Sequence, residues 1–538
     1  MMVRNSSSLV FAVIVLSLDE SHAFSSLTTL TKTVGPTDQF VGFDLGTSGV
    51  RISVIQQCEE ESREGLADEN EPSSVFYKEV YNQAIPWKDG AYDDANVWME
   101  SVESLLKNAE ESSAFNNGLK DIKSICVSGT SASCLLVDGK NVAKPSRSPS
   151  RMYNFDVISS PVSQGQDPIH GVRAVDLIGN FAPEQHTARS ATGSLAKLLS
   201  WHDEKPLVSG ERLCHQADYI ALRLMSDDKA CGSQRNERLV CSDWHNCLKL
   251  GYDVRNLEFP LWLQDCLDSV GLDHKRVLPA KVVSPGEPMG VISSDMAKRL
   301  GLSEDVTIVG GTTDSNAAFF AATATDSVVA PGTAVVSLGS TLAIKQVSTS
   351  YVENANVGVY SHRYPSALMS ADQQDKEAWL VGGASNVGCA VLRQEEFSVE
   401  ELTALSNDID PDEESPLDYY PLTRTGERFP IADGNMEPVL EPKPESRKEY
   451  LHGILQGIST VENKGFEALG QLGASPSNPK KVWTCGGGAQ NEMWSKMRER
   501  RLREIFRDDH DTLIVAKAKN VEASYGAAVL ATSPFRQD

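Results

Sequence analysis

A glycine- and hydroxyl-rich turn near the N-terminus has the residue types that could bind phosphate. Residues 44–51 (DLGTSGVR) place an acid at the end of an apolar run, followed by glycine, two hydroxyls and a second glycine. Glycine lets the backbone approach a ligand closely, and consecutive N–H groups with hydroxyls can cradle phosphate oxygens. Asp44 would then lie near a divalent cation that bridges those phosphates. Taken alone, the same residues also fit an ordinary hairpin turn in which Asp44 is a local acceptor.

A second turn, at residues 310–316 (GGTTDSN), could supply a general base. Asp314 precedes an apolar stretch and begins a predicted helix, so an N-cap is one interpretation of this carboxylate. The other is a carboxylate at a glycine-preceded helix start that takes a proton from a substrate hydroxyl. The residues of this turn by themselves favour the N-cap.

Two later turns repeat the glycine chemistry. Residues 337–341 (SLGST) have the glycine and hydroxyl pattern of the first turn, and residues 486–491 (GGGAQN) link a predicted strand to a predicted helix. A glycine-rich strand-to-helix turn can receive a nucleotide, because N–H groups at a helix N-terminus bind anions. Each of these turns alone is weak evidence for ligand binding. The three glycines of residues 486–488, for example, could also form an ordinary tight turn.

Strands and helices alternate around these turns. The predicted strands are residues 40–43 and 51–55, which form a hairpin; 122–127 and 134–137, which form a second pair; and 306–309, 334–338, 341–345 and 482–485. Helices are predicted at 192–202, 314–323 and 489–503. The alternation predicts a large α/β protein with mixed sheets.

Composition excludes some classes of partner. The chain has 538 residues and a formal net charge of −24, from 50 basic and 74 acidic side chains. This argues against nucleic acid and against a membrane partner for the mature form, because polyanions and anionic membranes attract basic surfaces. A small anionic ligand is still compatible, since backbone N–H groups can bind it. The ten cysteines include no Cys-x-x-Cys pair, and we interpret Cys241, His245 and Cys247 as buried thiols with a hydrogen-bonded histidine.

The N-terminus has the composition of a targeting signal. Residues 9–18 (LVFAVIVLSL) form an apolar run too short to span a bilayer, and a small residue, Ala23, ends a cleavage-site pattern. The pair Ala23-Phe24 resembles the junction of bipartite plastid presequences in algae with complex plastids. We therefore expect the plastid stroma as the destination. The alternatives are the secretory route or the cytoplasm, or a buried N-terminal strand in place of a signal.

In their order along the chain, the four turns resemble the motifs of the FGGY family of carbohydrate kinases. The resemblance extends over residues 40–532, with supporting matches at Lys197 and Trp201 and at residues 453–458 (GILQGI). It implies two ribonuclease-H/actin-like ATPase domains with the active site in the cleft between them. The divisions it implies are a presequence at 1–38, an N-terminal domain at 39–318 and a C-terminal domain at 319–538.

The resemblance also implies ATP-dependent phosphorylation of a sugar hydroxyl, with Mg²⁺. Asp314 matches the catalytic base, and Asp44 matches the acid near magnesium and the reacting end of the sugar. The residues that match the sugar site are Asp44, Ser48, Gly49, Val50, Arg51 and Asp314. Those that match the ATP site are Gly46, Thr47, Gly339, Ser340, Thr341, Gly487, Gly488, Ala489, Gln490 and Asn491, with Trp494 beside the base. A monomer is compatible with these features, and they do not predict the oligomeric state.

The identity of the sugar is predicted from segments in which this chain differs from many xylulose kinases and resembles another group of the family. Residues 128–133 (SGTSAS) lack the Gln and His found at this turn in many xylulose kinases, while residues 152–156 (MYNFD), 242–246 (SDWHN) and 248–253 (LKLGYD) resemble plant and cyanobacterial D-ribulose kinases. We therefore predict conversion of D-ribulose to D-ribulose 5-phosphate. A D-xylulose kinase or another sugar or polyol kinase is the alternative, and an actin-like ATPase without a sugar substrate is a remote one. We interpret Asp156 and Asp243 as structural carboxylates.

Overall fold

The computed structural model describes residues 35, 37–58, 76–138, 141–226, 240–326, 329–369, 376–506 and 513–536. The targeting segment predicted at the N-terminus lies almost entirely outside the described residues, and it stays a prediction. Among the residues that are described, no helix combines the length and the apolar character needed to cross a membrane.

Two large mixed sheets form the frame of the molecule. The first contains β1 (Gln39–Leu45), β2 (Gly49–Cys58), β3 (Phe76–Pro86), β5 (Ile122–Gly129), β11 (Pro288–Val291), β12 (Thr307–Val309) and β13 (Thr312–Thr313); β4 (Asn116–Leu119) precedes β5. The second contains β14 (Thr333–Leu338), β15 (Leu342–Ser348), β16 (Tyr360–Arg363), β17 (Trp379–Ser385), β18 (Lys481–Cys485) and β19 (Ile514–Lys517). Smaller sheets pair β6 (Cys134–Asp138) with β7 (Asn141–Pro145) and β8 (Glu211–His215), and β9 (Cys241–Asp243) with β10 (Lys281–Val283).

Fifteen α-helices lie within the described residues. They are α1 (Ala95–Glu110), α2 (Ser159–Ser163), α3 (Ile169–Phe181), α4 (Ser194–Glu204), α5 (Gln216–Leu224), α6 (Trp244–Cys247), α7 (Leu261–Asp268), α8 (His274–Val277), α9 (Ser294–Arg299), α10 (Asp314–Thr323), α11 (Ala390–Gln394), α12 (Val399–Asn407), α13 (Arg447–Gln471), α14 (Glu492–Ile505) and α15 (Ala523–Ala531). Short 3-10 turns at Leu248–Leu250 and Gly487–Gln490 bear on the site below.

The two large sheets have the same internal plan. In the first, β1 pairs antiparallel with β2 and parallel with β5; in the second, β14 pairs antiparallel with β15 and parallel with β18. Every residue of β1 is buried, as expected for a strand with both faces of its sheet covered. We call each large sheet with its helices a lobe, and we call β1–β2 the first hairpin and β14–β15 the second.

Helices α10 and α15 cross closely between the two sheets. A Cβ atom added to Gly526 of α15 would lie 1.7 Å from the carbonyl oxygen of Ala317 in α10, so this crossing requires glycine. The same holds where α15 covers β1, because a Cβ on Gly42 would lie 2.0 Å from the oxygen of Ser524. A hydrophobic cluster that includes Phe319 and residues of β1, β14 and α15 fills this region. The residues that follow β13 are thereby held between the lobes.

Most predicted elements are confirmed, and two predictions need correction. Strands β5 and β6 form where expected, but they do not pair with each other: β6 pairs with β7 and β8. The left-handed φ of 66° at Ala132 turns the chain away from the first sheet. The last predicted helix begins at Glu492 instead of residue 489, because Asn491 caps it by accepting a hydrogen bond from the Trp494 N–H at 3.0 Å.

Candidate active site

Asp44 lies at the end of β1, where it is 7% exposed. The hydroxyl of Ser128, opposite it on β5, donates a hydrogen bond to Asp44 Oδ1 at 2.8 Å. Burial, and then the charge of Asp314, raises the pKa of Asp44 to about 7. The fold has therefore brought together two carboxylates that are far apart in the sequence.

Asp314 is the first residue of α10, and the cap position belongs to Thr313. Its Oδ1 accepts a hydrogen bond from the next N–H, of Ser315, at 2.6 Å, whereas an N-cap side chain reaches two or three residues ahead. The N-cap interpretation is therefore wrong. Burial raises the pKa of the Asp314 carboxyl, while the Ser315 hydrogen bond and the charges of Lys345 and Lys249 lower it. A partly exposed carboxylate with a raised pKa is suited to accept a proton.

The turn of the first hairpin leaves room for a ligand. The N–H of Gly46 closes it with a hydrogen bond to the Gly49 oxygen at 2.9 Å, and Thr47 and Ser48 are exposed. The indole N–H of Trp87 holds the turn from outside by donating to the Gly46 oxygen at 2.9 Å. A Cβ on Gly46 would have no protein atom nearer than 3.6 Å, so packing does not demand glycine there. Close approach of a ligand would explain the residue.

The remaining residues predicted at the first hairpin have different environments. A Cβ on Gly49 would lie 2.2 Å from the oxygen of Ile85, so this glycine serves strand packing. Val50 is fully buried in the core of the first lobe, which leaves its backbone as the part that could meet a sugar. Arg51 is exposed and forms a salt bridge with Glu522 at 2.5 Å. Its guanidinium is thus held beside the start of α15.

The turn of the second hairpin has similar free space. The N–H of Gly339 donates to the Thr341 oxygen at 3.2 Å, and a Cβ on Gly339 would be 3.7 Å from its nearest neighbour. The Cys389 N–H donates to the Gly339 oxygen at 2.8 Å, and Arg393 donates to the Ser340 hydroxyl at 3.2 Å. These bonds hold the turn beside the beginning of α11, with Ser340 and Thr341 exposed.

A cavity of about 600 Å³ lies beside the fourth glycine-rich turn. Its apolar wall comes from Leu392, Phe397, Val399, Leu402, Leu455, Met493 and Trp494, and its polar groups include Arg393, Thr403, Ser406, Asn407, Gln490 and Asn491. Gly487 and Gly488 form its edge. An apolar cavity of this volume with a few polar groups suits a small organic ligand such as a nucleoside.

The three glycines of this turn have three different reasons to be glycine. Gly486 has a left-handed φ of 86°, and its Cβ would lie 2.6 Å from the Leu338 oxygen. Gly488 packs on the ring of Trp494, which a Cβ would approach to 2.6 Å. A Cβ on Gly487 would meet nothing within 4 Å, so that position is open toward a ligand.

The other residues predicted at this turn are engaged by the protein. Asn491 donates from its amide to the Ser406 hydroxyl at 2.8 Å, and Gln490 accepts from Lys517 at 2.5 Å. Ala489 is 5% exposed. Trp494 is buried and donates from its indole to the Leu455 oxygen at 3.0 Å, so its ring is a fixed wall of the cavity.

Residues 128–133, which lack the Gln and His of many xylulose kinases, are fixed by hydrogen bonds within the protein. The hydroxyl of Thr130 donates to Gln216 Oε1 at 3.1 Å and lies 2.5 Å from the Ser133 hydroxyl, so its polar atoms are already paired. Asp156 accepts hydrogen bonds from the N–H groups of residues 158 and 159, and Asp243 accepts them from residues 245 and 246. These two carboxylates have structural hydrogen bonds, in agreement with the sequence interpretation.

Sequence reasoning missed two lysines whose charges act on Asp314. Lys345 on β15 donates to the Ser315 hydroxyl at 3.1 Å, and Lys249 lies on the short turn that follows α6. Burial lowers the pKa of both ammonium groups, and the carboxylate of Asp314 opposes that change. The sequence signal was a lysine inside the predicted apolar strand 341–345, since a charge in such a strand needs a partner.

The carboxylate of Asp44 also fits the proposed role beside magnesium. Within the described residues, no group of three or more His, Cys, Asp or Glu side chains could hold a metal ion without further ligands. Mg²⁺ at phosphate-transfer sites is bound by one or two carboxylates together with substrate phosphates and water. Asp44, a single carboxylate beside an open glycine turn, is the kind of protein ligand that such a magnesium site uses.

Known proteins resemble this chain over most of its length. No protein-family model matches. The xylulose kinase of Staphylococcus epidermidis strain RP62A is 23% identical over 502 residues, which cover 91% of this chain and 87% of that protein. Ribulokinase 2 of Staphylococcus saprophyticus is 25% identical over 285 residues, covering 50% of this chain and 48% of that protein. The structure of Plasmodium falciparum glycerol kinase with ADP matches with a TM-score of 0.66 at 12% identity, covering 92% of this chain and 89% of that one. The predicted α/β fold of two actin-like lobes is confirmed.

Proposed function

We propose that this protein is an ATP-dependent carbohydrate kinase that phosphorylates a ketopentose, with D-ribulose as its substrate. The observation that carries the proposal is the pairing of Asp314 with Asp44 next to two glycine-hydroxyl hairpins. Similarity to a xylulose kinase and a ribulokinase supports a pentulose as the class of substrate.

Asp314 would act as the general base. Its raised pKa makes it a better proton acceptor than an ordinary aspartate, while the neighbouring ammonium groups keep it from becoming protonated too easily. Proton transfer from the attacking hydroxyl to Asp314 would let that oxygen displace ADP from the γ-phosphorus. The proton leaves the hydroxyl as the new O–P bond forms, so the carboxylate must be ionised beforehand.

The two hairpins would orient the phosphates of ATP. Phosphoryl transfer depends on positioning and charge neutralisation more than on covalent help from the protein. The open turns at Gly46 and Gly339 let backbone N–H groups approach phosphate oxygens, and the exposed hydroxyls of Thr47, Ser340 and Thr341 add donors. Magnesium, when bound near Asp44, would neutralise charge on the β- and γ-phosphates. The cavity beside Gly487 would hold the adenosine.

The sugar would lie between Asp44, Ser48, Arg51 and Asp314. D-Ribulose is preferred because the turn at Thr130 lacks the long amide and imidazole of many xylulose kinases, and its own hydroxyl is already paired. D-Xylulose is the second candidate, because a relative that matches 91% of this chain is a xylulose kinase. The two sugars differ at one hydroxyl, and an unpaired buried polar group would cost about 1–3 kcal/mol.

An assay of ADP release tests this proposal. The mature chain is mixed with ATP, Mg²⁺ and, in turn, D-ribulose, D-xylulose, L-ribulose, ribitol and glycerol. We expect D-ribulose to give the highest kcat/KM. A higher value with another sugar would contradict the assignment of the substrate, and ATP hydrolysis indifferent to every sugar would favour an actin-like ATPase.

The variant Asp314→Ala tests the assignment of the base. We expect sugar phosphorylation to fall by about 10²–10⁴-fold, the usual contribution of general base catalysis, while ATP binding measured by calorimetry is retained. Asp268→Ala, an exposed carboxylate on α7, is the matched control and should keep the parent rate. Phosphorylation at the parent rate in Asp314→Ala would show that another group is the base.

A further inference from the structure

Lys345 connects the second hairpin to the helix that begins with Asp314. Its ammonium group donates to the Ser315 hydroxyl at 3.1 Å and forms a short hydrogen bond to Asn316 Oδ1. Asn316 is fully buried in the first turn of α10. Lys345 therefore holds the two residues that follow the candidate base, and it does so from a strand of the other lobe.

The first lobe has a corresponding contact between its hairpin and a helix, but the residue that forms it is uncharged. The last two residue pairs before the turns are Asp44–Arg51 and Leu45–Val50 in the first hairpin, and Ser337–Ala343 and Leu338–Leu342 in the second. By this register, the residue that corresponds to Lys345 is Ser53.

The contacts of the two corresponding residues also match. The Ser53 hydroxyl hydrogen-bonds the Ser524 hydroxyl at 2.8 Å, and Ser524 is the second residue of α15, as Ser315 is of α10. A hydroxyl thus suffices to link a strand to the start of a helix at this position. The ammonium group of Lys345 must be explained by its charge.

Keeping that charge here is costly, because burial disfavours an ammonium group. Burial lowers the pKa of Lys345 to about 7, and the Asp314 carboxylate is the group that opposes this change. The other titratable groups that surround the pair are Asp44 on β1, His245 on α6, Lys249 on the turn after α6, and Tyr360 and His362 on β16. Of these, Lys249 also favours the ionised form of Asp314.

We propose that Lys345 is a positioning residue that holds the start of α10 against the second hairpin and stabilises the negative charge of Asp314. This inference rests on the proposed function, since it assigns a second residue to the base of that reaction. It also gives the second hairpin two tasks: its turn orients phosphate, and its strand supports the base.

Four variants separate the charge of Lys345 from its packing. Lys345→Gln keeps donors for Ser315 and Asn316 and removes the charge, Lys345→Met removes both, and Lys345→Arg keeps the charge. Ser53→Ala is the matched control in the first lobe. The measurement is kcat as a function of pH with the preferred sugar, together with the KM for ATP and the melting temperature of each variant.

We expect the pH of half-maximal kcat on the acid side to move up by about one unit in Lys345→Gln and Lys345→Met, because an ionised Asp314 is no longer supported by a neighbouring cation. At pH values below that midpoint, kcat should fall by about tenfold, with little change in the KM for ATP. Lys345→Arg should restore the profile in part, and Ser53→Ala should leave it as in the parent. A parent-like profile in a folded Lys345→Gln would overturn the proposal.

A second measurement does not depend on sugar kinase activity. Lys345→Gln and Asp314→Asn are combined in a double-mutant cycle, read as melting temperatures at pH 7. If the charges interact, each single variant leaves one charge without this partner, and the double variant loses less than the sum of the two. Additive losses would refute the pairing even if no sugar were phosphorylated, whereas failure of the sugar panel with a non-additive cycle would reject the proposed function and leave the charge pairing supported.

Discussion

The two hairpins have the same backbone plan and different chemistry. Each ends in glycine followed by two hydroxyl residues, and each turn leaves space beside its glycine. The residue two positions before that glycine is Asp44 in the first hairpin and Ser337 in the second. On the second strand of each hairpin, the third residue after the pair nearest the turn is Ser53 in the first hairpin and Lys345 in the second.

The comparison distinguishes the backbone turns, which the two hairpins share, from the charged side chains, which differ between them. In the proposed reaction, the open glycine turns of both lobes would bind the phosphates of ATP, because phosphoryl transfer depends on positioning and charge neutralisation. The carboxylate, Asp44, belongs to the first lobe and the cation, Lys345, to the second, so charges from both lobes interact with Asp314. The predictions below test this division of roles.

The largest expected effect is at Asp44. Asp44→Asn keeps the shape of the strand end and removes the charge, so kcat should fall by about 10²-fold or more. The Mg²⁺ concentration that gives half of the maximal rate should increase. The measurement is a steady-state assay with D-ribulose at a series of Mg²⁺ concentrations.

The corresponding change in the second hairpin, Ser337→Ala, is the matched control for Asp44→Asn. It should have little effect on kcat or on the Mg²⁺ requirement, because Ser337 has no charge to contribute. Equal losses from the two variants would mean that the hairpins share one role and that the comparison drawn above is wrong.

A smaller effect is expected from the feature that the hairpins share. Gly46→Ala and Gly339→Ala add a methyl group where no protein atom lies nearer than 3.6 and 3.7 Å, so both variants should fold with the parent melting temperature. Each should raise the KM for ATP by about tenfold, the loss expected when one hydrogen bond to a charged phosphate is weakened.

Gly486→Ala is the contrasting variant for this prediction. Its φ of 86° and the contact with the Leu338 oxygen at 2.6 Å should make alanine strained, so the melting temperature should fall. An unchanged KM for ATP in both hairpin variants would argue against phosphate binding by these turns.

The smallest effect is on stability as a function of pH. The pKa of Asp44 is raised in the folded protein to about 7 from its ordinary value of 3.8. The protonated acid is therefore favoured by folding, so its contribution to stability is full below about pH 3.8 and is lost as pH rises through about 7. Without divalent cations, the melting temperature of the parent should fall more steeply between pH 5 and 8 than that of Asp44→Asn. Parallel curves would indicate that Asp44 is not buried as an acid.

Local patterns predicted much of this molecule correctly. The first hairpin was readable because two apolar runs flank residues 46–48, and α10 was readable because an apolar stretch follows Asp314. The pairing of β5 with β6 was predicted wrongly, since partner choice depends on the left-handed turn at Ala132 and on β8, which comes much later in the chain. The role of Asp314 as an N-cap was also wrong, because only its actual backbone bonds show that the cap position is Thr313.

What the sequence by itself determined is the set of local structures: four glycine turns, the strands and helices beside them, and the resemblance that their order carries. These depend on residues that are close in the chain. The resemblance implies that Asp44 and Asp314 share one site. Only the tertiary structure decided that their charges interact, that Val50 is core while Arg51 is exposed, and that Lys345 reaches α10. The reason is physical: burial and charge interaction depend on which distant segments pack together, and the crossing of α10 and α15 at Gly526 sets that packing.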